Sequence, residues 1–238
     1  MTGVYRMAEK NIRIDSVFQK VQDYCGDYRT DGEPDFTVTT AQDDIERERI
    51  RSKRSGTETD YPDDYIEELA VYRKIAEKMP EYDTFLFHGS AVAVDDECYL
   101  FTAKSGTGKS THTRLWRKLL GDRAVMVNDD KPLIKMTDKG AVVFGTPYNG
   151  KHRLGKNISV PLRAVCILER SHENRICRIT KEEAYMMLIQ QTYRPEDGAA
   201  LAKTLMLIDR LADSAELWRL GCNMDISAAE LSYNTMKG

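Results

Sequence analysis

The chain has 238 residues, 41% of them hydrophobic and 31% charged, with a formal net charge of −3. That balance fits a globular protein of one large domain or two small ones, and the slight acidity argues against non-specific nucleic-acid binding. No apolar run approaches the roughly 18 residues of a membrane span, and the opening MTGVYRMAEKNIRI lacks the apolar centre of a secretory signal. Cys25, Cys98, Cys166, Cys177 and Cys222 are scattered with no C-x-x-C pair, so neither a zinc site nor a disulfide framework is expected, and the expected compartment is the reducing cytoplasm.

In chain order, Ile12–Phe18 and Phe36–Thr40 read as strands separated by the turn Asp31-Gly32-Glu33-Pro34. Residues 43–60 are almost wholly polar. Their first part is expected to be an exposed helix held by opposite charges three and four apart, and the Ser-Gly-Thr part a mobile loop. Pro62–Met79 reads as an amphipathic helix with Ile66, Leu69, Ile75 and Ala76 near one face, stopped by Pro80. Thr84–Val94 gives two strand pieces around His88-Gly89. Asp95-Asp96 is a turn, and Glu97–Thr102 completes a hairpin. Ser110–Leu120 is a helix with Leu115, Trp116, Leu119 and Leu120 on one face and Gly121 just past its end.

Ala124–Asn128 is a short buried strand running into Asp129-Asp130, and Leu133–Met136 and Ala141–Phe144 flank a turn at Asp138-Lys139-Gly140. Leu162–Leu168 reads as a strand covered on both faces, with Arg175–Ile179 placed beside it. Thr180 and Glu183 form a capping box that opens a helix through Gln191. A helix over Glu196–Ala212, a strand over Glu216–Gly221 and a helix over Asp225–Met236 close the chain, and Met186, Met187 and Met206 are expected to fill the core. The tally is α/β with a mixed β-sheet, because several neighbouring strands are hairpin-linked. The organisation expected is one α/β domain over 1–238, in which 1–80 forms an N-terminal strand and helix segment packed on a core at 81–238.

The stretch that points to a ligand is Lys104-Ser-Gly-Thr-Gly-Lys-Ser-Thr111. It follows a strand and opens a helix, where free N–H groups and about half a positive charge favour a phosphate. The phosphate-loop pattern Gly-x-x-x-x-Gly-Lys-[Ser/Thr] is met except at its first position, which is Ala103. Ser105, Gly106, Thr107, Gly108, Lys109, Ser110 and Thr111 are therefore the expected nucleotide-binding residues, with Lys109 on the outer phosphates and the Ser110 hydroxyl on Mg²⁺.

Phosphoryl transfer needs a clamp, a metal and a group that orients or deprotonates the acceptor. Asp129 and Asp130 follow the next strand. Asp130 is assigned to the metal and Asp129 to general base, with the two roles open to exchange. His88 is a further candidate near the phosphates. Lys151 and Arg153, in the Gly- and cation-rich loop 146–156, are candidates for transferred phosphate or an acidic substrate. His112 and His172 read as structural or surface residues.

His88-Gly89, the hairpin, the Ser-Gly-Thr-Gly-Lys-Ser loop and Asn128-Asp129-Asp130 together resemble the catalytic domain of HPr kinase/phosphorylase, and more broadly the phosphoenolpyruvate carboxykinase-type P-loop fold. The resemblance covers roughly residues 85–170, and Glu216–Leu231 is similar to the closing strand and helix of small HPr-kinase-like proteins. The Glu-x-Arg-Gly-x-Gly signature of HPr kinases is absent, with only Arg153-Leu154-Gly155 near it. The resemblance implies an ATP-using, Mg²⁺-dependent kinase in which Lys109 binds phosphates, Ser110 the metal, and the Asp129-Asp130 pair supplies base and metal ligand. The implied acceptor is a hydroxyl on a protein, peptide or small molecule, with no nucleic-acid or membrane partner, and homo-oligomerisation is left open. The competing readings are a non-catalytic nucleotide-binding regulator or interaction module, for which 43–60 would be the partner surface, and a decarboxylating carboxykinase-like enzyme, for which the chain is short.

Overall fold

The computed structural model describes residues 1–54, 61–150 and 152–238, and so leaves out the Ser-Gly-Thr loop and Lys151. The chain divides into two compact units, Met1–Lys78 and Met79–Gly238. Among the described residues no helix is long and apolar enough to cross a membrane.

In the first unit β1 (Thr2–Met7) and β2 (Lys10–Asp15) form an antiparallel hairpin, and β3 (Phe36–Thr39) adds to β2 in parallel. The strand expected over Ile12–Phe18 stops at Asp15, and Gln19–Tyr24 turns into helix α1. The cause is the carboxylate of Glu67 on α3 (Asp63–Lys78). It accepts hydrogen bonds from the backbone N–H groups of Val17 (2.6 Å) and Phe18 (2.8 Å) and from the Thr40 hydroxyl (2.6 Å), which takes this stretch out of the ladder. Satisfied in this way, a buried acid is tolerable on an otherwise apolar face of Ile66, Val71 and Ile75.

The polar helix α2 (Gln42–Arg54) is not simply solvated. Ile45 and Glu48 are buried, and Glu48 is gripped by the Arg73 guanidinium of α3 at 2.6 and 2.8 Å. The expected pairing within the helix is present at Asp44–Arg47, but Asp44 also meets Lys74 of α3.

The second unit is a nine-stranded mixed sheet with helices on both faces. Its strands are β4 (Thr84–Leu86), β5 (Ser90–Val94), β6 (Glu97–Thr102), β7 (Ala124–Asn128), β8 (Leu133–Thr137), β9 (Gly140–Phe144), β10 (Ser159–Arg170), β11 (Arg175–Arg178) and β12 (Glu216–Cys222). The order β4-β8-β9-β10-β6-β5-β7 continues from β10 to β12 and β11. β10 is long enough to serve two partners. Ser159–Pro161 pairs antiparallel with β9; the rest, past an irregularity at Leu162/Ala164, lies parallel to β6 and β12, so the sheet curls. β11 pairs with β12 and not with β10, contrary to the sequence reading, because both long edges of β10 are already occupied by β6 and β12.

Strand alternation sets the layers. Cys98 and Leu100 of β6 face a cluster built with Ala184 and Leu188 of α5 (Lys181–Gln191) and Leu207, Ile208 and Leu211 of α6 (Gly198–Ser214). Tyr99 and Phe101 face Trp116 of α4 (Lys109–Leu120) and Ala229 and Met236 of α7 (Ile226–Met236). The Trp116 indole N–H donates to Ser232 of α7 at 2.8 Å, and the His112 ring lies 3.0 Å from the same hydroxyl. Met187 packs partly against the core, but Met186 and Met206 are exposed (62% and 63%), since the inward positions of their helices are taken by Leu188 and by Leu207 and Ile208.

Candidate active site

β6, β10 and β12 run parallel, and β7 runs the same way because β5 is antiparallel to both β6 and β7. The ends of these four strands, at Thr102, Arg170, Cys222 and Asn128, therefore share one edge of the sheet. This is where open α/β sheets place ligands.

At the end of β6 the chain turns through residues 103–108 into α4. Gly106 and Gly108 have φ of 77° and 125°, values that L side chains avoid. The side chain of Lys109 is buried and donates to the Ala103 carbonyl at 3.1 Å, closing the turn. Burial pushes its ammonium below the ordinary lysine range, and the charges of Asp130 and Asp129 oppose that shift. Arg170 closes the loop from the other side. The register Ile167↔Thr102 carries β10 three residues past the end of β6, so its guanidinium donates to the carbonyl of Gly106 and, at 3.4 Å, to that of Thr107.

At the end of β7 the buried Asn128 builds a turn. Its Oδ1 accepts from the N–H groups of Asp130 and Lys131, both at 2.8 Å, and its Nδ2 donates to the Thr146 hydroxyl at 2.9 Å. That turn directs two carboxylates differently. Asp129 is buried, and its Oδ1 accepts from Ser90 at 2.6 Å. Ser90 in turn lies 2.9 Å from the Thr113 hydroxyl of α4, so the acid is tied through two hydroxyls to the helix that follows the glycine loop. Its Oδ2 faces Gly150, where even a methyl group would sit at 3.1 Å. Asp130 is more open, with Oδ1 3.4 Å from His88 Nε2 and Oδ2 3.8 Å from Lys131 Nζ. Burial works against its charge, but the hydrogen bond from His88 and the charges of Lys131, His88 and Lys109 outweigh it and hold the carboxyl below the usual range.

His88 is held in place through its backbone. Its N–H donates to Gln191 at 2.7 Å, its carbonyl accepts from the Thr102 hydroxyl at 3.1 Å, and the next N–H, of Gly89, reaches the Asp130 carbonyl at 3.0 Å. The strand break read at His88-Gly89 thus lies between the two strand ends that matter.

A cavity of about 180 Å³ opens between α4, β7 and the loop 146–156, lined among others by Ser110, Thr111, Asp129 and His152. A larger cleft of about 810 Å³ lies beside Arg170, with Asn174, Arg175 and Arg219 in its wall. Lys109, Ser110, Asp129, Asp130 and His88 therefore belong to one end of the sheet. Arg153 is exposed with φ of 48°, and its neighbours His152 and Leu154, not Arg153 itself, line the smaller cavity; Lys151 lies outside the described residues. Ser90, Thr113 and Arg170 carried no sequence signal.

Among the described residues there is no cluster of three or more His, Cys, Asp and Glu side chains of the kind that cages a metal. Mg²⁺ does not ask for one: it takes one or two carboxylates and completes its shell with water and phosphate oxygens. Ser110, Asp129 and Asp130 are hard oxygen donors, and Ser110 and Asp129 line the smaller cavity, which fits that requirement.

No family model matches the chain, and no curated protein matches it. Among solved structures, the Hpr(Ser) kinase/phosphatase from Coxiella burnetii aligns with 64% of this chain and 99% of its own, at 9% identity and a TM-score of 0.35. At that score the likeness carries no argument.

Proposed function

We propose that the chain is an ATP- and Mg²⁺-dependent phosphotransferase that moves the γ-phosphoryl group to a hydroxyl. The observation that carries this reading is the meeting of a glycine turn on a helix N-terminus with two differently held carboxylates, both of which act as charge neighbours of the buried Lys109. A structural turn has no need of a buried lysine beside two acids, whose desolvation is costly unless a ligand uses it.

In this reading the backbone N–H groups of 105–110 and Lys109 hold the β- and γ-phosphates. Bound Mg²⁺ supplies neutralisation of phosphate charge, with Ser110 and Asp130 as the residues that would hold it. Asp129 takes the proton of the acceptor hydroxyl on Oδ2, since Oδ1 is occupied by Ser90. The new O–P bond forms as the bond between the γ-phosphorus and its bridging oxygen breaks, and ADP leaves with that oxygen's charge. The large cleft beside Arg170 is the space we assign to the nucleoside.

The test is calorimetry and phosphoryl transfer with labelled ATP, using cell lysate as acceptor. Lys109→Ala is expected to lose nucleotide binding. Asp129→Asn should keep ATP affinity and lose transfer by about 10²–10⁴-fold, the usual contribution of a general base. No heat with any purine triphosphate plus magnesium would end the proposal.

A further inference from the structure

The smaller cavity carries two cations that the scheme above leaves unused. Ser110, Arg114 and Arg117 stand at i, i+4 and i+7 on α4, so they form one stripe, and all three line the cavity with Asp129. Met126 and Leu154 supply its apolar wall. Among the described residues neither Arg114 nor Arg117 has an ion-pair or hydrogen-bond partner for its guanidinium, whereas Arg49, Arg73, Arg123, Arg163 and Arg219 elsewhere each face a carboxylate. At about 1.5 Å of rise per residue, the stripe sets Arg114 some 6 Å and Arg117 some 10 Å along the helix from Ser110. Side chains on a helix tilt toward its N-terminus, which leans both guanidinium groups back toward the reacting end. Two unpaired forks in a partly enclosed groove match an oxyanion.

We propose that this groove is the acceptor site and selects acceptors that carry a carboxylate or phosphate group several ångströms from the hydroxyl that is phosphorylated. Asp129 receives the hydroxyl end, and Arg114 and Arg117 bind the anionic end. A volume of about 180 Å³ is below the 300–1,000 Å³ typical of drug-sized ligands, so the groove takes a small molecule or one short arm of a peptide. This deepens the phosphotransferase reading and rests on it for the word acceptor, but the anion site can be tested without nucleotide.

The experiment is calorimetric titration of the full chain, without nucleotide, in two arms. Glycerol 3-phosphate is compared with glycerol, and the capped peptide acetyl-Ser-Gly-Asp-amide with its Asn counterpart. The anionic member of at least one pair should bind and its neutral partner should not, and the arm that binds identifies the source. R114A/R117A should weaken that binding by at least about tenfold, as expected for lost charge-assisted hydrogen bonds, while K109A leaves it within about twofold. Each single variant is run beside the double one, with a thermal melt, so that one folded variant suffices. The proposal is overturned if neither anionic probe binds better than its neutral partner. It is also overturned if K109A abolishes binding and the arginine variants do not, since the anion would then sit in the glycine turn. An ATP titration of the same samples separates the two ideas, because loss of ATP binding with intact anion binding sinks only the kinase reading.

Discussion

At the scale of single residues, the site separates what a residue does from what aims it. Lys109, Ser110, Asp129 and Asp130 are legible in the sequence because their chemistry is local: a glycine turn, a helix start, an acidic pair after an apolar strand. Ser90 is not legible. It sits 39 positions from Asp129 and 23 from Thr113; the β5–β7 pairing brings it to Asp129, and the packing of α4 on β5 brings it to Thr113. Arg170 is hidden for the same reason, since its meaning comes from how far β10 overshoots β6.

Ser90 also makes a prediction. Ser90→Ala leaves Asp129 Oδ1 buried without its donor, which costs about 1–3 kcal/mol of stability. Without that bond the carboxylate is no longer held in one orientation, so phosphoryl transfer should fall while ATP affinity holds. Ser90→Thr should restore transfer. Transfer unchanged in Ser90→Ala would show that the hydroxyl only packs.

At the scale of elements, the parts read well are those whose signals are local. The Asp95-Asp96 turn takes φ of 50° and 66°, values that Asp tolerates better than most side chains, and the hairpin follows from it. The Thr180–Glu183 capping box is present in both directions. β1 was not read, because its inward positions are Gly3, Tyr5 and Met7 and no turn signal precedes it. The partner of β11 was misplaced because strand pairing depends on register between distant segments, which no local pattern carries.

The α4–α7 junction gives the pH prediction. Burial of His112 beside Ser232 lowers its pKa to about 4 from 6.5. Unfolded chains take up that proton near pH 6.5 and the folded protein resists it until about pH 4. Between those values the unfolded state binds more protons, so stability is full above 6.5, falls as pH drops toward 4 and then levels off, a loss of roughly 3 kcal/mol. Urea midpoints measured from pH 7.5 to 4 should show this decline. The difference between wild type and His112→Gln isolates it, since the variant has nothing to titrate there. Parallel curves for the two proteins would mean that His112 is already solvated.

At the scale of the whole molecule, every residue of the candidate site falls in one of the two units. The core clusters beneath the sheet run from Phe85 to Met236, and the glycine turn, both aspartates, His88 and both cavities lie inside Met79–Gly238. A unit of 160 residues is large enough to bury most of its apolar surface without help. We therefore expect the fragment 79–238 to unfold in a single cooperative step and to bind ATP within about tenfold of the full chain, because no residue assigned to the phosphates lies outside it. Thermal denaturation and calorimetry of the fragment beside the full chain would decide it. A cooperative fragment that lost ATP altogether would move part of the nucleotide site into residues 1–78. A fragment without a cooperative transition would show that the sheet cannot hold its own core.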